Sequence, residues 1–361
     1  MNPIGRMAAV CTLAVATALQ YGPMAAGATF ADPLDMPAQA SALAARSLLV
    51  SVARAGTRLV AVGQRGHIVW SDDNGATWMQ ANVPVSSDLT AVTFVNATKG
   101  WAVGHDGVIL HTTDGARTWA LQLDGRKANA QLVAAMQARG NAPGAAPVYK
   151  QLVAEAQRYQ EQGPDKPFLD VWFADENNGY AVGAFNLIVR TADGGTTWEP
   201  LFDQTDNPKL LNLYAIGKFG DDLYIAGEAG LVLKLDPAQR RFVALDTAYA
   251  GSFFGVVGGK DGIVVYGLRG NAYRSADGGA TWSKVDTGLP ATIVAGFRTA
   301  NGAIVLADAG GRVARSADGG RTFAPVKLER TLPIAGIADA GEGRIARVGP
   351  LGASVAAIAA R

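Results

Sequence analysis

One motif returns five times along this chain, and its spacing limits what the chain can fold into. Ser71-Asp72-Asp73-Asn74-Gly75-Ala76-Thr77-Trp78 recurs as Thr191-Ala192-Asp193-Gly194-Gly195-Thr196-Thr197-Trp198. It returns at Ser275 with Asp277 and Trp282, and at Ser316 with Asp318 and Phe323. A looser copy runs from Thr112 through Asp114 to Trp119. The shared pattern is S/T-x-D-x-G-x-T-W/F. Asp73 to Asp114 is 41 residues, as is Asp277 to Asp318, while Asp193 to Asp277 is 84, or two units. A degraded copy is expected between those two, around Lys234-Leu235-Asp236-Pro237 and ending at Phe242. A period near 40–45 residues is the length of a four-stranded propeller blade.

Each unit parses alike. Residues 89–95 make strand A, Gly100–Gly104 strand B, Val108–Thr112 strand C, and Trp119 opens strand D after the Asp-containing turn. The B–C links are glycine-rich hairpins such as Gly63-Gln64-Arg65-Gly66, where glycine supplies positive φ cheaply. First strands near 48, 90, 168, 211, 252, 292 and 333 count seven blades. The predicted fold is all-β, a seven-bladed propeller of four-stranded antiparallel blades. The last unit, Ile334 to Ile358, offers three strands and no box. Residues 27–38 resemble 279–290, which predicts that residues 29–35 supply strand D of the last blade and close the ring.

The box has a structural task. A short Asp or Ser/Thr side chain folds back onto turn amides, and the aromatic plugs the layer beside it. Chemistry rarely needs one carboxylate copied in every repeat. Asp73, Asp114, Asp193, Asp277 and Asp318, with Trp78, Trp119, Trp198, Trp282 and Phe323, are therefore read as framework.

Residues 121–167 break the pattern. Lys127–Arg139 places Leu132, Val133 and Met136 at helical spacing, and Val148–Glu161 does so with Val148, Leu152, Val153, Ala156 and Tyr159. A helical hairpin is predicted on a D–A connection, on the same face as the B–C turns. Long insertions at such places are often functional; passive packing is the equal alternative. The turn tips on that face, Arg65, His105, Asp106, Phe185, Glu228 and Arg269, are the candidate partner-binding residues. Leu351 also lies at such a tip.

Glycine is 44 of 361 residues and charge only 17%, which suits short strands with tight turns and excludes disorder. The first 28 residues read as a secretory signal: Arg6, an apolar run from Ala8 to Leu19, and Ala26-Gly27-Ala28 as cleavage site. The run is shorter than the ~20 residues that span a bilayer, which favours cleavage over anchoring. Cys11 follows Val10 rather than a small residue, so it makes a poor lipidation site. Without residues 1–28 the domain of residues 29–361 carries 31 basic and 31 acidic side chains and no cysteine. That balance gives no basic excess for nucleic acid. The three histidines, His67, His105 and His111, lack a metal-ligand spacing. No metal, cofactor or catalytic residue is expected.

The boxes, the 41-residue spacing and the A-V-G-x-x-G hairpins resemble the bacterial neuraminidase (BNR, Asp-box) repeat, sialidase-like superfamily. Within it, Gly100-Trp101-Ala102-Val103-Gly104 followed by a hairpin and Thr191-x-Asp193-Gly194-Gly195-x-Thr197-Trp198 is most similar to the photosystem II stability and assembly factor family. The resemblance implies an exported, periplasmic or thylakoid-lumen, monomeric scaffold. It implies a membrane-protein complex or assembly intermediate as partner, in photosynthesis or in another envelope system such as a transporter. A sialidase-like glycosidase is the alternative. It would need an arginine triad and a Tyr/Glu pair, and the Arg-Ile-Pro motif expected ahead of the first box is missing. Glu176, Glu199, Glu228, Glu329 and Glu342 are its only loop glutamates, none with an evident tyrosine. A glycan- or peptide-binding propeller is a third reading.

Overall fold

The computed structural model describes residues 31–358, and everything from Pro33 onward belongs to one compact unit. Seven antiparallel sheets follow one another along the chain. Six have four strands in the order A-B-C-D, and the last has three. The seven A strands begin at Leu49, Leu89, Phe168, Leu213, Phe253, Ile293 and Gly336. They stand side by side in a closed circle, strand A of blade seven beside strand A of blade one. The predicted seven-bladed propeller is the observed fold.

The box chemistry explains why each blade turns as it does. In blade one, Ser71 Oγ donates to Asp73 Oδ1 at 2.8 Å and accepts the Gly75 N–H at 2.8 Å. Asp73 then accepts the Thr77 N–H at 2.9 Å and the Thr77 hydroxyl. The same bonds join Thr112, Asp114 and Thr118; Thr191, Asp193 and Thr197; Ser275, Asp277 and Thr281; and Ser316, Asp318 and Thr322. Bonds from the Thr77 side chain and amide hold the Asp73 carboxyl at about 2, and those from Thr281 do the same for Asp277. Every box carboxylate is engaged within its own turn.

The box aromatic packs between its own blade and the preceding one. Trp119 sits with the core shared by blades one and two, Trp198 with blades two and three, and Trp282 with blades four and five. Phe323 serves blades five and six, and Trp78 serves blades seven and one. Blade four lacks a full box, as expected, yet Phe242 is fully buried at the same place and meets Tyr180 edge-on at 5.9 Å. Asp236 still accepts the Ala238 and Gln239 amides there.

Closure differs from the expectation. Residues 29 and 30 lie outside the described residues, as does the whole predicted signal, residues 1–28. Residues 31–35 form no strand: Pro33–Asp35 is a single turn of 3-10 helix. Its Leu34 is buried in the core between blades one and two, and the Pro33 carbonyl accepts the Ser86 N–H at 2.9 Å. Burial of Leu34 there outweighs the local likeness to a strand D, and proline has no N–H for the ladder. Ala44–Arg46 instead provides the link into blade one. A Cβ on Gly352 would strike the Ala45 carbonyl, as a Cβ on Gly270 would strike that of Leu289.

The insertion forms two helices, α1 (Gly125–Gly140) and α2 (Val148–Gln162). Asp124 caps α1 by accepting the Lys127 N–H, and α2 stops at Gly163, whose φ is 86°. Leu132, Met136, Ala156 and Tyr159 meet Phe202 in a small core of their own. Val148, expected on that inner face, is 51% exposed because it opens α2 ahead of the first contact.

Candidate partner-binding face

The B–C turns share one geometry. In blades one to five each is a short 3-10 turn whose second residue takes a left-handed conformation: Arg65 at φ 56°, Asp106 at 57°, Phe185 at 52°, Ala229 at 52° and Arg269 at 56°. The first hairpin glycine has another duty than the one expected. Gly63 is extended at φ −173°, and what demands glycine is space, since a Cβ would collide with the Leu48 carbonyl. The left-handed amide is then tied to the next blade. Arg65 N–H donates to Asp88 Oδ1 at 2.7 Å, Phe185 N–H to Asn212 Oδ1 at 2.9 Å, and Arg269 N–H to Thr292 Oγ1 at 3.3 Å.

With their backbones fixed, the side chains of Arg65, His105, Phe185 and Arg269 point outward, one per blade, on one face of the ring. Phe185 is 49% exposed and Leu351 63%, unusual for apolar groups of that size. Asp106 is half-buried, and Glu228 turns inward to accept the Asn212 N–H at 3.2 Å. Four of the six predicted residues are therefore exposed.

The helical insertion stands on this face. Tyr159 of α2 donates its hydroxyl to the Phe185 carbonyl at 3.0 Å and meets Phe202 edge-on at 5.8 Å. Arg139 of α1 bonds Asp203, which also accepts the Tyr149 hydroxyl at 2.7 Å. Arg126 makes a two-point ion pair with Asp35, both contacts at 2.9 Å. The bonds to Phe185 and Asp203 hold the helices on blade three and raise a wall beside Phe185, and the Arg126–Asp35 pair ties α1 to the N-terminal turn.

Sequence reading missed the axial cavity. The A strands surround about 370 Å³, and Asp170 and Tyr266 both line it. Asp170 accepts the N–H groups of Val171 and Ile216, each at 2.8 Å. Burial pushes its carboxyl up to about 7 against the pull of those two amides. Tyr266 is raised too, by burial and then by Asp170. Its ring lies where a Cβ of Gly255 would be. The signal was present: Phe168-Leu169-Asp170-Val171-Trp172-Phe173 holds one carboxylate inside an apolar strand.

The loop glutamates that a glycosidase would need are held in ion pairs with basic side chains in three of five cases. Glu176 is paired with Lys99 and Glu199 with Arg139, both glutamates belonging to blade three, and Glu342 of blade seven is paired with Arg344. His67 is buried with its Nδ1 3.1 Å from Ser47 Oγ, while His105 is exposed. Among the described residues no group of three or more His, Cys, Asp or Glu side chains converges.

The family described as "Photosynthesis system II assembly factor YCF48" matches residues 41–139 and 152–312, skipping the end of α1 and the start of α2. The chain belongs to that family. Named relatives agree over shorter stretches. The photosystem II assembly lipoprotein Ycf48 of a Synechococcus species is 28% identical over 140 residues, 38% of this chain and 42% of the relative. That of Prochlorococcus marinus is 57% identical over 35 residues, 10% of each. This chain thus matches well under half the length of either relative. A solved structure titled "YCF48 bound to D1 peptide" superposes at a TM-score of 0.60 and 14% identity, covering 88% of this chain and 95% of that one. YCF48 from Cyanidioschyzon merolae gives 0.59 at 16% identity, covering 89% and 98%. Doa1's WD40 propeller gives 0.59 at 10% identity, with coverage of 91% and 97%. At these identities the superpositions speak for the propeller fold alone.

Proposed function

We propose that this protein is an exported, non-catalytic scaffold that binds a membrane-protein complex, or an intermediate in its assembly, through the face carrying the B–C turns. Its client is a photosystem II-type membrane protein or a comparable envelope complex, and it works as a monomer. The observation that carries the reading is the exposed Phe185 beside the helical wall, in a chain of the YCF48 family. An aromatic and two arginines on rigid turns suit protein recognition, because their ordering cost is met before binding. Support for a non-enzymatic role comes from the box carboxylates, all engaged in their own turns. Export is supported by the N-terminal signal pattern and by relatives named lipoproteins.

A titration tests the client class. The solved YCF48 is bound to a D1 peptide, and that peptide, labelled, is mixed with this protein. Saturable binding that weakens tenfold or more in Phe185→Ser supports the reading. Binding indifferent to Phe185, Arg65 and Arg269 rejects this face.

A further inference from the structure

The interface between blades six and seven is unlike the other six. Each of those holds a box aromatic or, at blade four, Phe242. Between blades six and seven no box aromatic of the described residues enters the core, and a cavity of about 680 Å³ opens instead. Phe297, Val305 and Val326 of blade six and Ile358 of blade seven line it. Val326 lies in strand D of blade six (Ala324–Val326), and Leu245, in strand D of blade four, packs with Trp282 in the same way. The space has the place and lining of a missing aromatic.

Hydrogen bonding across this interface is incomplete as well. In four of the other interfaces a side chain of one blade caps a carbonyl in the next blade's box, as the Tyr224 hydroxyl does for Gly278 at 3.1 Å. Arg58 donates to Gly115, Gln122 to Gly194 at 2.8 Å, and Arg274 to Gly319 at 2.7 Å. Arg315 occupies in blade six the position that Arg274 occupies in blade five, one residue before the box serine. It lines the cavity, and its side chain has no hydrogen-bond or ion-pair partner among the described residues. Arg344, opposite, leaves its buried Nε without an acceptor. Strand C of blade seven (Gly352–Ala357) pairs with strand B only, so its outer edge carries no strand among the described residues. Charge adds direction, since Arg54, Arg315, Lys327 and Arg344 on the rim outnumber Asp339 and Glu342.

We propose that this cavity is a second binding site, which takes an extended, acidic segment of a partner protein bearing one aromatic side chain. The segment adds as a fourth strand to blade seven. Its aromatic fills the cavity as Trp282 fills the interface of blades four and five, and its carbonyl or carboxylate oxygens meet Arg315 and Arg344. Strand addition supplies main-chain affinity, and the pocket supplies side-chain choice. The partner need not be the client of the turn face, so this proposal and the scaffold reading fail separately.

The chain itself provides a probe. A labelled peptide copying Ser71–Gln80 carries Asp72, Asp73 and Trp78 and no basic residue. Anisotropy should show saturable binding to the purified protein. It should weaken tenfold or more when the peptide has alanine in place of the tryptophan, and in the cavity-filling Val326→Trp. Arg315→Glu, on the rim, should weaken it comparably even if Val326→Trp melts early. Phe185→Ser should leave it unchanged. Absence of saturable binding, or equal affinity for the alanine peptide, overturns the proposal. Concentration-dependent dimerisation abolished by Val326→Trp would also overturn it, in favour of a second copy as occupant.

Discussion

The Asp170 carboxylate, on the inner strand of blade three, accepts the Ile216 N–H of blade four at 2.8 Å across the axial cavity wall. It belongs to a series. Ser51 Oγ accepts the Val92 N–H at 3.3 Å between blades one and two, and the Thr90 hydroxyl donates to the Phe168 carbonyl at 2.7 Å between blades two and three. Short polar side chains on the inner strands thus tie successive blades near the axis, where buried amides would otherwise lack partners.

Asp170 makes stability depend on pH in an unusual sense. Its folded value of about 7 exceeds the ordinary 3.8. Between those values the folded protein holds a proton that the unfolded chain has released. Stability therefore falls as pH rises from about 4 to about 7, by up to roughly 4 kcal/mol. Asp170→Asn should lack this component. Denaturant melts of both proteins at pH 5 and pH 7.5 check it: the wild type should lose more on going to pH 7.5.

The boxes act with the opposite sign. Asp73 and Asp277 are held down to about 2. Their contribution is present above the ordinary carboxylate range and is lost as pH falls toward 2. Asp277→Ala should lower Tm by several degrees at pH 7 and by much less at pH 2, read by calorimetry on both proteins.

Trp198 is 4% exposed between blades two and three and meets Phe173 edge-on at 6.0 Å. Trp198→Ala should cost roughly 3–5 kcal/mol, the usual range for deleting a buried aromatic. Chemical denaturation checks this.

Tyr159 reaches the Phe185 carbonyl from α2. Tyr159→Phe should cost about 1 kcal/mol. Deleting residues 124–164 should leave a folded propeller of lower Tm with faster amide exchange around Phe185. Hydrogen exchange reads both variants.

Most of the fold was legible because one repeat was written six times, five as boxes and once as the eroded copy ending at Phe242. Period and turn chemistry are local, so they survive without coordinates. The N-terminal segment was not legible, because Leu34 chooses its place by a core formed from two blades distant in sequence. Asp170 was overlooked for a related reason: its meaning depends on Ile216, 46 residues on, and on the cavity both strands enclose. Of the turn residues, Arg65, His105, Phe185 and Arg269 followed from hairpin position alone. Glu228 did not, since Asn212 draws it inward.

The central claim is best tested by affinity capture from solubilised envelope membranes, with the wild type beside Arg65→Ser/Phe185→Ser/Arg269→Ser. All three side chains are exposed, so the variant should melt as the wild type does. The account predicts that the wild type retains a membrane-protein complex and that the variant does not. Equal retention by both, or retention of no membrane protein by the wild type, would contradict it.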